Sequence, residues 1–275
     1  MGWRKKPFAT YHASCFTGEN TRVSTRKKII AGNWKMYKTP RESLEFLNAF
    51  LPKVHDHERD EIIIFPTATS LSTVIDRVRG THLFAGAQTM HWLNEGPYTG
   101  QTSPNMLTSI GATHVLLGHS ERRLYANETY EHVNLKIKAA IAHDLIPVLC
   151  LGELLVDRQG GFTRDIIMAQ MGAALSNIPA ENATRIVIAY EPVWAIGTGS
   201  TASPEIANEV HSIIRAQLEW VFNAEIANNA RILYGGSVKP ENSGALLSQP
   251  DIDGLLVGGA SLDPACFAKI VHTKY

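Results

Sequence analysis

The chain has 275 residues, of which 44% are hydrophobic and 19% charged, the composition of an ordinary globular protein long enough to bury a large core. Its 26 basic and 26 acidic residues give a formal net charge of zero, so it lacks the electrostatic attraction that nucleic acids and anionic membranes require. No apolar run reaches the ~18 residues of a membrane span. We therefore expect no nucleic-acid partner and no membrane association, and we exclude a coiled coil and a secreted miniprotein.

Cysteine usage favours a reducing compartment. The three cysteines, Cys15, Cys150 and Cys266, are odd in number and far apart, so they do not form a disulfide framework. We predict a cytoplasmic protein on this ground.

The first 26 residues differ in composition from the rest of the chain. They hold five basic residues against one acid, Glu19, and show no apolar periodicity. We predict a disordered N-terminal extension over 1–26 and a catalytic domain over 27–275. The segment lacks the apolar core of a secretory signal, but its basic, acid-poor composition leaves an organelle transit peptide open, as it does a start codon placed too early.

From Lys27 onward, short apolar runs alternate with longer amphipathic stretches. The runs are near-continuously apolar, which is typical of parallel strands buried on both faces. Helices are predicted between them, for example over Arg41–Lys53, Glu128–His143 and Pro204–Phe222. Eight such units predict a single-domain α/β fold, an eight-stranded parallel β/α barrel. A doubly wound open sheet has the same local pattern and stays open. The apolar runs lie at 27–34, 61–65, 82–87, 113–118, 145–152, 185–190, 230–234 and 252–258.

Polar residues gather where these runs end, which in a β/α barrel is the face that carries catalytic loops. Taken alone, Lys35 is an ordinary solvated lysine, His119 a hydrogen-bonded structural histidine and Cys150 a buried core thiol. Glu191 is the exception, because it ends an apolar strand and precedes Pro192. Since desolvation makes a carboxylate a stronger base, we predict that Glu191 is a general base.

Two glycine pairs, Gly235–Gly236 and Gly258–Gly259, directly follow the last two predicted strands. Glycine lets backbone N–H groups approach an anion closely, so the two pairs predict one phosphate site. The stretch from Gly197 to Ala202 formally matches the dinucleotide fingerprint, but six residues separate it from its strand. Because Walker, H-E-x-x-H and paired C-x-x-C sequences are also lacking, we expect no cofactor and no metal.

Six motifs, taken together in this order and spacing, closely resemble the triosephosphate isomerase family. The resemblance runs from about Lys27 to the C-terminus, and one motif, AYEPVWAIGTG, is close to diagnostic. It implies a metal-free, homodimeric TIM barrel that interconverts dihydroxyacetone phosphate and D-glyceraldehyde 3-phosphate through an enediolate, in glycolysis and gluconeogenesis. The motifs are AGNWKM, LLGHSERR, CLGE, AYEPVWAIGTG, YGGSV and DGLLVGGASL.

The resemblance also implies roles for individual residues. Glu191 moves the proton between the two carbons, His119 is the neutral electrophile, and Lys35 faces the enediolate and the phosphate. Asn33 hydrogen-bonds beside Lys35, while Cys150 and Glu121 support the site. The phosphate is held by the backbone of Gly197, Ser237, Gly258 and Gly259. A closing lid is formed by Pro192, Val193, Trp194, Ala195, Ile196, Gly197, Thr198 and Gly199.

The family's third loop projects into a partner subunit, which implies dimer contacts at Thr99, Gln101 and Arg122. Two residues depart from the family pattern: Gln101 replaces the usual glutamate and Ser200 replaces the usual cation of the lid hinge. The alternatives are an isomerase of a related phosphosugar such as erythrulose phosphate, a catalytically silent binding barrel, and a nucleotide-binding oxidoreductase.

Overall fold

The computed structural model describes residues 26–196 and 201–275, and within them eight parallel strands close into a barrel in sequence order. Closure is direct, because Ile29 of the first strand pairs with Gly254 of the last. The predicted barrel is therefore confirmed, and the open-sheet alternative is wrong. The strands are β1 (Ile29–Asn33), β2 (Glu61–Phe65), β3 (Leu83–Ala87), β4 (His114–Leu117), β5 (Ile146–Leu151), β6 (Val187–Tyr190), β7 (Ile232–Tyr234) and β8 (Gly254–Val257).

Helices surround the barrel, and the three that were predicted by name agree with the structure to within two residues. None of the helices in the described part of the chain has the length and apolar composition needed to cross a bilayer. The helices are α1 (Pro40–Val54), α2 (Ala68–Val78), α3 (Pro104–Ile110), α4 (Ser120–Tyr125), α5 (Tyr130–Ala142), α6 (Leu155–Gln159), α7 (Thr163–Ala174), α8 (Ala180–Ala183), α9 (Pro204–Val221), α10 (Ala224–Asn229), α11 (Pro240–Leu247) and α12 (Pro264–Val271).

The strand residues divide into two buried layers because successive side chains point to opposite faces. In β2, Ile62 and Ile64 pack outward in the large core beneath the helices, whereas Ile63 and Phe65 pack in the smaller core inside the barrel. Both faces of the strand are thus covered, which explains why the runs are continuously apolar.

Helix starts follow from local capping. Ser203 caps α9 by accepting a hydrogen bond from the Ile206 N–H, and Pro204 takes the first helical position. Thr39 and Glu42 form a reciprocal capping box at α1. These caps fix where the chain leaves each loop, and hence where the loop residues stand relative to the barrel mouth.

Residues 1–25 of the predicted extension lie outside the described residues. Its last residue, Arg26, contacts the barrel: Nε lies 2.6 Å from Oδ1 of Asp253 and one terminal nitrogen donates to the carbonyl of Pro250 at 3.0 Å. The division at residue 27 stays a prediction, although Arg26 itself packs with the barrel.

Candidate active site

The carboxyl ends of the strands bring together most of the residues predicted to carry chemistry. Asn33 ends β1, His119 lies two residues beyond β4, and Glu191 directly follows β6. Glu191 continues the pairing of β6, since its N–H donates to the Leu151 carbonyl of β5 at 2.7 Å. It is 2% exposed and His119 is 5% exposed, so both side chains are shielded from bulk water.

Glu191 and His119 are in direct contact. Oε1 of Glu191 lies 3.0 Å from Nε2 of His119, and Oε2 accepts a hydrogen bond from the Ser120 N–H at 3.2 Å. Glu191 does not cap a helix, because the short 3₁₀ helix that follows it, Val193–Ala195, has Pro192 as its N-cap. The carboxylate therefore occupies a buried, hydrogen-bonded position from which it can exchange a proton.

The tautomer of His119 follows from its position at the start of α4. Its Nδ1 accepts the Glu121 N–H at 3.2 Å, so the ring proton of a neutral imidazole lies on Nε2, toward Glu191. Burial disfavours the imidazolium, but the adjacent Glu191 carboxylate outweighs burial and raises the pKa of His119 above its ordinary value. Burial and the start of α4 thus favour the neutral ring, whereas Glu191 favours the charged one.

Lys35 is held in an unusual backbone conformation beside this pair. Its φ of 50° is left-handed, which costs a non-glycine residue ~1–2 kcal/mol. The Asn33 side chain accepts the Lys35 N–H at 3.0 Å, and Gln88 donates to the Lys35 carbonyl at 2.8 Å. The Lys35 ammonium lies 2.6 Å from Oε1 of Glu121. Asn33 thus positions Lys35 through its backbone in this state.

The glycine loops form the remaining side of the site. A side chain at Gly258 would touch Lys35, and one at Gly235 would meet the side chain of Glu191. Gly259 begins a 3₁₀ helix and faces open space, while Ser237 is half-buried and its carbonyl is held by Asn242. Glycine is needed at Gly235, because a Cβ there would lie only 2.9 Å from the side chain of Glu191, whereas at Gly258 it would be in ordinary contact with Lys35 at 3.6 Å.

Cys150 is fully buried in the inner core of the barrel, and burial raises the pKa of its thiol well above the ordinary value. This agrees with a packing role rather than a nucleophilic one.

The first part of the predicted lid is anchored by Glu153, a fully buried residue. Oε1 of Glu153 accepts the Trp194 indole N–H at 2.9 Å and the Tyr190 hydroxyl at 3.1 Å. The Glu153 carbonyl accepts the Val193 N–H at 3.1 Å. The lid residues Gly197, Thr198 and Gly199, with the hinge position Ser200, lie outside the described residues.

Thr99, Gln101 and Arg122 lie in a different place from the catalytic candidates. They line a cavity of about 310 Å³ together with His91, His132 and Lys136. The Nε of Arg122 is buried and has no hydrogen-bond partner within residues 26–196 and 201–275. The structure thus places these three residues around one cavity, and their contact with a second subunit stays a prediction.

The sequence assigned no role to three residues that support the site. Gln88 directly follows β3, and Glu153 follows β5, so their strand-end positions were the available signal. Arg123 lies inside α4, and no local pattern marks its contacts with Gly118 and Cys150.

The fold and the site define a β/α-barrel enzyme with a buried carboxylate–imidazole pair and a lysine at the carboxyl ends of its strands. The family model described as Triosephosphate isomerase matches residues 28–274. A protein named triosephosphate isomerase from Solibacter usitatus is 51% identical over 247 residues, covering 90% of this chain and 99% of the relative. Proteins of the same name from Caldanaerobacter subterraneus and Carboxydothermus hydrogenoformans are each 48% identical, covering 90% of this chain and 99% and 98% of their own lengths. The chain belongs to the triosephosphate isomerase family.

Proposed function

We propose that this protein interconverts dihydroxyacetone phosphate and D-glyceraldehyde 3-phosphate. The observation that carries the proposal is the Glu191–His119 pair, 3.0 Å apart and buried, with Lys35 beside it. Isomerising an α-hydroxy ketone requires a base for carbon, an acid for the oxygens and positive potential for the intermediate. The three side chains supply these functions. The reaction belongs to glycolysis and gluconeogenesis.

The chemistry follows from the hydrogen-bonding capacity of each group. Glu191 removes a proton from one carbon while the Nε2–H of His119 donates to the carbonyl oxygen, which gives an enediol or enediolate. Returning the proton from Glu191 to the neighbouring carbon completes the isomerisation, with His119 moving protons between the oxygens. The Lys35 ammonium stabilises negative charge on the intermediate. The 3.0 Å contact between Glu191 and His119 must open to admit the substrate.

The phosphate of the substrate is assigned to backbone N–H groups of Gly197, Ser237, Gly258 and Gly259. Residues Pro192–Gly199 act as a lid that excludes water from the intermediate and so limits its loss of phosphate. Phosphoglycolate, a planar mimic of the enediolate, should protect this segment from proteolysis. Equal cleavage with and without the ligand would count against a closing loop.

The third loop is assigned to the contact surface of a homodimer. Thr99, Gln101 and Arg122 surround a cavity, and Tyr98, which also lines it, is 42% exposed. A second copy covering this face would bury apolar area and give Arg122 a partner. The cytoplasm is assigned as the compartment, since Cys150 and Cys266 are free thiols.

The decisive experiment is a coupled assay that compares a triose phosphate with a tetrose phosphate as substrate. We expect efficient turnover of the triose and much slower turnover of the tetrose. Preference for the tetrose would favour erythrulose phosphate isomerisation, and no turnover of either would favour a silent binding barrel. The names of the relatives support the triose over the tetrose.

A further inference from the structure

The backbone N–H and the backbone carbonyl of Gly118, the residue before His119, are each hydrogen-bonded to a charged side chain. Its N–H donates to Oε2 of Glu128 at 3.0 Å, and its carbonyl accepts from Nε of Arg123 at 2.7 Å. Gly118 lies one residue beyond the end of β4, so these bonds replace the strand pairing that stops at Leu117. Hydrogen bonds to charged groups are stronger than neutral ones, so this peptide is firmly held.

The conformation of Gly118 decides where the imidazole of His119 points. Its φ of 75° is left-handed and turns the chain from β4 toward α4, which begins at Ser120. A side chain at this position would meet the Arg123 guanidinium and the Cys150 carbonyl at 2.7 and 3.1 Å. Arg123 therefore lies close against the turn, in space that only glycine leaves free.

Arg123 also reaches the neighbouring strand. A terminal nitrogen donates to the Cys150 carbonyl of β5 at 3.1 Å, and the guanidinium stacks over the Tyr130 ring of α5 at 5.1 Å. One planar group thus ties the turn before His119 to the end of the adjacent strand. Its geometry is fixed by two divergent hydrogen bonds and one ring contact.

We propose that Arg123 is a positioning residue for His119, acting through the Gly118 peptide and the Cys150 carbonyl. The proposal rests on the proposed function of His119 as the acid of the isomerisation. Arg123 touches neither Glu191 nor Lys35 through a hydrogen bond in this structure, so its effect on catalysis passes through the position of the imidazole. A misplacement of a catalytic group by ~1 Å can lower a rate by ~10²-fold, which sets the scale of the effect.

The test is the Arg123→Lys variant, which keeps the charge but replaces the planar fork by a single ammonium that does not reproduce both divergent bonds. We expect kcat to fall ~10–100-fold while KM and the inhibition constant for inorganic phosphate stay within about twofold. In a His119→Gln background, Arg123→Lys should lower kcat by less than about twofold, because the group that it positions is gone. An undiminished effect in that background would overturn the proposal.

The matched control is Arg59→Lys, because Arg59 also donates to two carbonyls, those of Val271 and Thr273, at the C-terminus of the chain. Both variants should lose some thermal stability, but only Arg123→Lys should lose kcat. Equal loss of kcat in both would indicate a merely structural role.

A readout independent of turnover separates this proposal from the proposed function. The imidazole ¹⁵N resonances of His119, assigned by comparison with His119→Gln, should change in Arg123→Lys and stay unchanged in Arg59→Lys. An inactive wild-type protein would refute the isomerase assignment, yet the resonances would still decide whether Arg123 positions the ring. Unchanged resonances in Arg123→Lys would overturn the inference.

Discussion

Glu191 and His119 make a hydrogen-bonded contact of 3.0 Å between the carboxylate Oε1 and the imidazole Nε2. The two groups therefore satisfy each other's hydrogen-bonding capacity in this state. In the proposed reaction, substrate binding replaces this contact and competes with the hydrogen bond from the Ser120 N–H to the second carboxylate oxygen. Part of the binding free energy of the substrate is thus spent on moving the carboxylate, which links affinity to the arrangement of these two residues.

Glu191→Gln keeps the volume of the side chain but removes its basicity. We expect kcat to fall by several orders of magnitude, while phosphate inhibitors still bind because the glycine loops are unchanged. Steady-state turnover and inhibitor affinity check this expectation. Glu181→Gln, at an exposed position of α8, is the matched control and should retain wild-type turnover. Near-native turnover in Glu191→Gln would refute the role of the carboxylate as the base.

The pKa of His119 should respond to the same substitution. Burial lowers this pKa, but Glu191 more than compensates, with Glu121 adding to the increase and Lys35 opposing it. Because the folded-state pKa exceeds that of the unfolded chain, this interaction stabilises the fold fully below about pH 6.5. The stabilisation is lost as pH rises through the folded-state pKa. In Glu191→Gln the pKa of His119 should drop, as followed by NMR titration of the ring; an unchanged or higher pKa would contradict this account.

Much of the barrel was predictable from the sequence because its strands are covered on both faces. Ile62 and Ile64 must meet helices while Ile63 and Phe65 must fill the interior, so the run stays apolar throughout. Periodicity did not distinguish a closed barrel from an open sheet, since closure depends on the pairing of β1 with β8, more than 200 residues apart. That contact has no local signature.

The site was predictable where a residue ends a strand or stands in a family motif, as for Glu191 and His119. The hydrogen bonds that surround these residues were not predictable. Arg123 donates hydrogen bonds to the backbone carbonyls of Gly118 and Cys150. Because every residue has a backbone carbonyl, the sequence does not show which ones an arginine will bind. The opposing effects on the pKa of His119 likewise depend on a distance across the barrel, which only the folded structure fixes.

His211 predicts a loss of stability in acid. It is fully buried on α9, and burial lowers its pKa to about 3, with Nδ1 facing the Asp251 carbonyl at 3.2 Å. As pH falls, the imidazole of His211 binds a proton near pH 6.5 in the unfolded chain but not in the folded one. The free energy of unfolding is therefore highest above pH 6.5 and decreases below it. Between pH 6.5 and 4.5 the loss from this residue should reach about 2–3 kcal/mol, since each pH unit contributes about 1.4 kcal/mol.

His211→Gln should remove that part of the acid sensitivity, because glutamine retains a donor for the Asp251 carbonyl and does not titrate. Denaturant unfolding at a series of pH values measures the slope. His55→Gln, at an exposed position, is the control and should leave the slope unchanged. If the two variants have the same pH dependence as the wild type, His211 is not the group responsible.

Gln101→Glu should tighten the proposed dimer. Arg122 has a buried Nε with no hydrogen-bond partner in the described part of the chain, so it is not already neutralised by a carboxylate of its own subunit there. Gln101 lines the same cavity and brings no charge to it. The Arg122 guanidinium of one subunit would bond to the neutral amide oxygen of the partner's Gln101, whereas a glutamate there would add an ion pair, which contributes about 1 kcal/mol for each contact.

The contact between position 101 of one subunit and Arg122 of the other occurs twice in a two-fold symmetric dimer. The two substitutions together should therefore lower the dissociation constant of the dimer by about 30-fold. Sedimentation velocity on a dilution series measures this constant directly. Gln159→Glu, which adds the same charge at an exposed position of α6, should leave it unchanged. Added salt should weaken the gain in Gln101→Glu less than it would weaken an exposed ion pair, because Arg122 is partly buried. An unchanged or weaker dimer in Gln101→Glu would refute the assignment of this cavity as the contact between subunits.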